Sequence, residues 1–190
     1  MADDSDMFGD ALAANIRSAR EAAGMTVAAL AEASGVSRAM ISKIERGEAQ
    51  PTAVLLARLS GALELTLSEL IARVEGDAVR VARRAEQPEW TDPETGYVRR
   101  AVSPPAREIL ELVEVEFPAG ASVAAPASAY AFKEQQIWVL SGHLRFVEGD
   151  LVHELDAGDC LQLGPPADCV FVNPTDEPCR YLVVLGKRRG

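Results

Sequence analysis

Over the first 76 residues, apolar positions recur at helical spacing. Phe8, Leu12, Ile16, Ala19 and Ala23 mark one helix face. Gly24 interrupts the pattern, and Thr26 is placed as the N-cap of a second helix that buries Val27, Leu30 and Ala31. Gly35 breaks it again. Ser37 is the expected cap of a third helix, with Ile41 and Ile44 inward and Gly47 at its end. Pro51-Thr52 opens a fourth helix burying Leu55, Leu56, Leu59 and Leu63, and a short fifth runs from Leu67 to Arg73.

After residue 76 the period changes from helical to alternating. Short Val-, Leu- and Ile-rich runs ("ILELVEVEFPAG", "QIWVLSGHLRF", "GDLVHELDAGDCLQL", "CVFVNPTDEPCRYLVVL") are cut by Gly, Pro and Asp. Strands at such intervals predict a sandwich or barrel. Residues 77–107 read as a connector that adds one or two edge strands. The expected fold class is α + β with two domains, an N-terminal all-α bundle of about five helices and an all-β double-stranded β-barrel. The expected boundaries are a disordered acidic N-terminus over 1–10, a helical domain over 11–73, a linker over 74–107 and a barrel over 108–187.

Composition narrows the function classes. The net charge is -10, which opposes non-specific binding to nucleic acid unless a basic face is local. Residues 1–76 hold seven basic and eleven acidic side chains, so any such face is confined to Arg38, Lys43 and Arg46. No apolar run approaches the ~20 residues of a membrane span. The acidic start "MADDSDMFGD" is unlike a secretory signal, and a cytoplasmic protein is expected. Three cysteines, Cys160, Cys169 and Cys179, make no disulfide framework or zinc knuckle, and only two histidines, His143 and His153, are present.

The segment "LAEASGVSRAMISKIERGEAQPT" joins two short helices through Ala33-Ser34-Gly35-Val36, and "LARLSGAL" follows at fixed spacing. This resembles the Cro/repressor-like (XRE) helix-turn-helix family over about Ala11 to Ile71. The resemblance implies a recognition helix from Ser37 to Glu45 that enters the major groove of a double-stranded DNA operator. Arg38, Ala39 and Lys43 then stand at base-reading positions, with Arg38 suited to guanine and Ala39 to a thymine methyl. Ser37, Ser42 and Arg46 stand nearer the phosphates, and Thr26 offers a helix N-terminus to one. Val27 stands where the family often has Gln. Glu45 is expected to brace Arg20 rather than touch DNA, and a homodimer on a two-fold site is expected.

"FPAGASVAAPASAYAFKEQQIWVLSGHLRF", followed by "GDCLQLGPPADCVFVN", resembles the cupin family over about Glu108 to Lys187. Cupin enzymes hold a divalent metal with three His and one Glu. Here the corresponding positions fall near Ser128 and Tyr130, at Gln135 and at Cys169, a poor ligand set. No metal or other cofactor is expected, and His143 and His153 read as solvent-facing strand residues. Alternation lines the interior with Tyr130, Gln135, Ile137, Val139, Cys169 and Phe171. That interior is either a small-molecule effector pocket or a filled core. Cys169 reads as a small buried apolar residue in preference to an oxidant sensor. Trp138, on a barrel strand, is the expected fluorescence reporter of ligand. The function expected is a non-enzymatic DNA-binding regulator whose cupin domain senses an effector. The alternatives are a metal-dependent cupin enzyme with a DNA-binding appendage, or a protein-interaction adaptor.

Overall fold

The computed structural model describes residues 4–71, 80–104 and 110–187. Five helices come first: α1 (Asp4–Ala22), α2 (Val27–Ser34), α3 (Arg38–Glu45), α4 (Ala53–Ala62) and α5 (Leu67–Ile71). Side-chain caps set four of their starts, that of α5 through Thr66 Oγ1, which accepts from the Glu69 N–H at 3.1 Å. Thr26 Oγ1 accepts from the Ala29 N–H at 3.1 Å, Ser37 Oγ from Met40 at 3.2 Å and Thr52 Oγ1 from Leu55 at 3.4 Å. Each bond satisfies one of the N–H groups that a helix start leaves unpaired. Gly35 ends α2 at φ 68°, and its N–H donates to the Ala31 carbonyl. Leu12, Ile16, Leu30, Ile41, Ile44, Leu56 and Leu59 form the helical core.

Three details differ from the sequence reading. Helix α1 starts at Asp4, inside the stretch whose acidity predicted disorder. Once Leu12 and Ile16 anchor a turn, adding residues to it costs far less than starting a new helix. Ala23 lies past the end of α1 and is exposed. Leu55 is only half-buried, because the buried stripe of α4 runs through Ala53, Leu56, Ala57, Leu59 and Ser60. The Phe8 side chain and the predicted stretch up to Arg73 lie outside the described residues.

The rest is β. The strands are β1 (Glu89–Thr91), β2 (Val98–Ala101), β3 (Leu110–Phe117), β4 (Ser122–Ala125), β5 (Lys133–Ser141), β6 (His143–Glu148), β7 (Leu151–Asp156), β8 (Cys160–Gln162), β9 (Cys169–Val172) and β10 (Cys179–Lys187). They form a six-stranded sheet, β1-β2-β3-β10-β5-β8, and a four-stranded sheet, β4-β9-β6-β7. The result is a cupin-like two-sheet sandwich rather than the closed barrel expected. Phe171 stacks on Tyr181 across the interior at 6.2 Å and ties the two sheets together, while Phe146, its neighbour within the smaller sheet, meets Phe171 at 4.8 Å. The expected edge strands are β1 and β2, which extend the larger sheet beside β3. The buried Asn173 fastens the end of β9. Its amide donates to the carbonyls of Phe117, Pro118 and Glu177, and its Oδ1 accepts from Thr175.

The helical part is seated on this sandwich. Helix α4 packs on β4 and on the 3-10 turn Ala127–Ala129. The contact is close at Gly61, where an added Cβ would lie 2.9 Å from the Ser128 carbonyl atoms. Two polar bonds flank it. The Ala53 N–H donates to Asp92 Oδ1 at 2.9 Å, and the Thr66 hydroxyl donates to Glu111 at 3.2 Å. The hydrophobic core is continuous from Leu12 to Leu185.

Candidate functional site

The first candidate surface is the outer face of α3. Residues three or four apart share a helix face, so Ile41 and Ile44 turn inward while positions 38, 39, 42, 43 and 46 turn out. Ser37, Arg38, Ala39, Lys43 and Arg46 are exposed, Ser42 is half-buried, and Thr26 is exposed at the start of α2. The turn feeding α3 is built by Ser34, whose hydroxyl donates to the Leu30 carbonyl at 2.6 Å and accepts from the Val36 N–H at 3.2 Å. Behind α3, Arg20 braces the bundle. Its guanidinium holds both oxygens of Glu45, at 2.7 and 3.0 Å, and the Met25 carbonyl at 2.9 Å. Glu45 is thereby turned away from the outer face.

The basic side chains of this face are not equivalent. Among the described residues, Arg38 and Lys43 form no salt bridge, which leaves both cations to an incoming anion. Arg46 is held by both carboxylate oxygens of Glu48, at 2.6 and 2.7 Å. A bidentate phosphate contact through the Nε–Nη2 edge of Arg46 must displace Glu48, whereas its Nη1 can still donate. The Ser37 hydroxyl already accepts the cap bond, and its O–H remains able to donate.

The second candidate is a cavity of about 80 Å³ between the sandwich and the helical part. Ala53, Ala57 and Leu67 close it from α4 and α5, while Tyr97, Arg99, Phe117, Tyr130, Lys133, Gln135, Phe171 and Tyr181 line the sandwich side. Tyr130, Lys133 and Gln135 also line an open groove of about 520 Å³ toward Gln162 and Pro165. Inner cavity and outer groove therefore share a three-residue boundary.

Of the residues expected at this wall, Tyr130, Gln135 and Phe171 are there. Ile137, Val139 and Cys169 are not among the lining residues and are buried in packed core. They point inward as alternation requires, but farther along the strands, where facing side chains fill the interior. The Cys169 thiol donates to the Ala167 carbonyl, and burial pushes its pKa up to about 12. A thiol held protonated in this way is a poor nucleophile.

Two cations on this wall escaped the sequence reading. Lys133 begins β5, and its 6% exposure makes it a buried lysine. Burial, with Arg99 adding repulsion, lowers its pKa from 10.5 to about 7, against the smaller pull of Glu111 and Glu69. Arg99 stands on β2 in the cross-strand row Trp90, Arg99, Val115, Tyr181, Val139, whose other members are all buried. Its Nε is buried without a hydrogen-bond partner. The signal for Lys133 lay in parity, since it precedes Gln135, Ile137 and Val139 at period two. Arg99 lay in a stretch read as connector, which hid its facing.

The residues present do not fit a cupin metal. Tyr130 is a buried phenol whose pKa is pushed far up by burial, Gln135 is neutral, and a cation, Lys133, adjoins both. Among the described residues no three of His, Cys, Asp and Glu are grouped so as to hold a metal ion. His143 bridges Asp156 and Glu154, at 2.7 and 2.8 Å, and those bonds raise its pKa. His153 is half-buried against Phe146, with Nε2 buried and 3.7 Å from Glu148, so it is not the solvent-facing residue expected. Trp138 is 46% exposed on the outer face of β5 and cannot report the interior directly. Trp90 is buried and meets Tyr97 of the cavity wall at 5.5 Å.

Comparison with known proteins accords with this geometry. Residues 16–70 match the family described as Helix-turn-helix. The HTH-type transcriptional regulator SutR of Escherichia coli (strain K12) is 36% identical over 61 residues, which are 32% of this chain and 34% of SutR. An uncharacterized HTH-type transcriptional regulator of Mycobacterium tuberculosis is 41% identical over 58 residues, 30% of this chain and 41% of that protein. The chain thus spans between a third and a half of the length of these curated relatives. The crystal structure of an HTH_3 family transcriptional regulator from Vibrio cholerae superposes with a TM-score of 0.81 over 97% of this chain and 99% of that one, at 23% identity. The two chains share a fold across both parts. Residues 16–70 are an XRE-type helix-turn-helix domain, and it is joined to a cupin-like sandwich. No helix among the described residues is long and apolar enough to cross a membrane.

Proposed function

We propose that this protein is a cytoplasmic, homodimeric transcriptional regulator in which α3 reads an operator and the sandwich binds a small-molecule effector that changes operator affinity. Arg38, Ala39 and Lys43 read bases. Thr26, Ser37, Ser42 and Arg46 contact phosphates. The single observation that carries the coupling is the shared wall of the cavity: Ala53, Ala57 and Leu67 face Tyr130, Lys133 and Gln135 across it. A ligand there touches both parts of the chain. It therefore has a different free energy in seatings of α4 that differ by even a small shift, and that difference is the requirement for moving an equilibrium.

The test is retention of fragmented source genomic DNA by the full chain at near-physiological salt. Enrichment of a two-fold motif, with half-sites about one helical turn apart, is the expected result. Arg38→Ala and Lys43→Ala should each weaken that binding by about 1–3 kcal/mol and relax base preference. The low-molecular-weight fraction of source-cell extract should then change operator affinity and Trp90 fluorescence together. Failure of the folded protein to enrich any motif, with or without that fraction, overturns the regulator reading.

A further inference from the structure

We infer that the cavity between α4 and the sandwich is an acid-binding site, which takes the carboxylate of a small organic acid between the Arg99 guanidinium and the Lys133 ammonium. This rests on the effector reading above and gives it a ligand chemistry.

The cavity carries two cationic side chains and no acidic one among the residues that line it. Lys133 is buried, yet among the described residues it makes no side-chain hydrogen bond or salt bridge. Its nearest compensation is the ring faces of Phe132 and Tyr130, with Nζ 5.3 and 5.6 Å from their centroids. Arg99 leaves its buried Nε–H without an acceptor. Buried donors are nearly always paired, and an unpaired one costs free energy. A carboxylate supplies two acceptor oxygens and the missing charge, and bonds between ionised partners are the strong kind.

The charged groups around the site agree with this. Glu69 and Glu111 influence Lys133 from α5 and β3, but neither lines the cavity. Each is engaged by Thr66, Glu69 through the Thr66 N–H at 2.8 Å and Glu111 through its hydroxyl at 3.2 Å. Burial and Arg99 outweigh both carboxylates and draw Lys133 to about 7, a value that an entering anion reverses. The tyrosines of the wall are neutral phenols, and Tyr97 is pushed up to about 12 by burial.

Size sets a further limit. At about 30 Å³ per water, 80 Å³ admits only a few heavy atoms. A carboxylate with a short stem fits inside. A longer body leaves past Tyr130, Lys133 and Gln135 into the outer groove.

The experiment is calorimetric titration of the full chain with acetate and propionate, and with acetamide and propionamide as neutral matches. Wild type, Arg99→Met and Lys133→Met are compared at pH 8, each in two buffers of different ionisation enthalpy. The expected result is at least tenfold tighter binding of acid than amide in wild type, with proton uptake. Both substitutions should erase that preference. Lys133→Met replaces a buried amine by an apolar side chain of similar length, so folding is retained. Equal binding of acids and amides overturns the acid site and leaves the effector reading standing. Binding of neither series also overturns it, and the response of operator affinity to the low-molecular-weight extract then judges the effector reading separately.

Discussion

The first helical N–H of α4, at Ala53, donates to Asp92 Oδ1 on the β1–β2 hairpin, 2.9 Å away and 39 residues later in the chain. The sandwich thereby caps a helix of the helix-turn-helix domain. Asp92 is 2% exposed, and its other oxygen accepts from the Thr95 N–H and hydroxyl at 3.0 and 2.6 Å. Asp92→Ala removes the cap, loosens the hairpin and strands a buried N–H. A loss of about 2 kcal/mol is expected. Urea unfolding should show it, with the helical transition followed by circular dichroism separating from the Trp90 transition. Coincident transitions at unchanged midpoint would rule out this linkage.

Gly61 makes the same seat sensitive to a single carbon. A Cβ there meets the Ser128 carbonyl group at 2.9 Å and the Ala129 nitrogen at 3.1 Å, all backbone atoms that cannot swing aside. Gly61→Ala improves intrinsic helix propensity by about 1 kcal/mol, yet it must lift α4 off the turn. The expected phenotype is a folded helical domain that still binds operator DNA but no longer responds to low-molecular-weight extract. An unaltered response means that seating does not transmit the signal.

Much of this architecture was legible in the chain. Thr26, Ser37 and Thr52 announced helix starts because a cap is a local interaction, spanning three residues. Arg20 and Glu45 were placed together only through the family likeness, since their contact spans 25 residues. The cavity was half legible. Period-two alternation put Gln135, Ile137 and Val139 on one side of β5, while Tyr130 precedes that strand at the end of the 3-10 turn Ala127–Ala129; alternation gives facing and not depth. Which inward residues border empty space depends on what packs opposite, and here α4 packs there. Arg99 was hidden because the segment 77–107 has few apolar residues, although its hairpin completes the larger sheet.

The Arg20–Glu45 pair is mostly buried, with side-chain exposures of 11% and 7%. Removing one partner leaves the other charge desolvated, which is more damaging than losing the pair as a whole. Glu45→Ala is expected to cost about 3 kcal/mol of stability, and Arg20→Met with Glu45→Met together less than the sum. A double-mutant cycle by chemical denaturation measures both. Operator binding by the folded fraction of Glu45→Ala should keep its base preference, since Glu45 is held by Arg20 away from the outer face. Altered base preference would assign Glu45 to the reading surface instead.

Lys133 gives stability a defined pH dependence. Its pKa falls from 10.5 in the unfolded chain to about 7 in the folded one, chiefly through burial and then through Arg99, with Glu111 and Glu69 opposing. Below about 7 both states hold the proton, and the folded chain bears the full cost of a buried ammonium. Between about 7 and 10.5 the unfolded chain binds more protons, so stability rises with pH across that window. Lys133→Met lacks this rise. It should be more stable than wild type at pH 6.5, by on the order of 3 kcal/mol, and converge with it as pH approaches 10. Urea midpoints of the two proteins at pH 6.5, 8 and 9.5 check the sign and the window. Parallel profiles would mean that water or a permanent counter-charge already solvates the ammonium. Saturating acetate should close the gap at pH 6.5, because a bound carboxylate makes the protonated lysine the favoured form, whereas acetamide should leave the gap open.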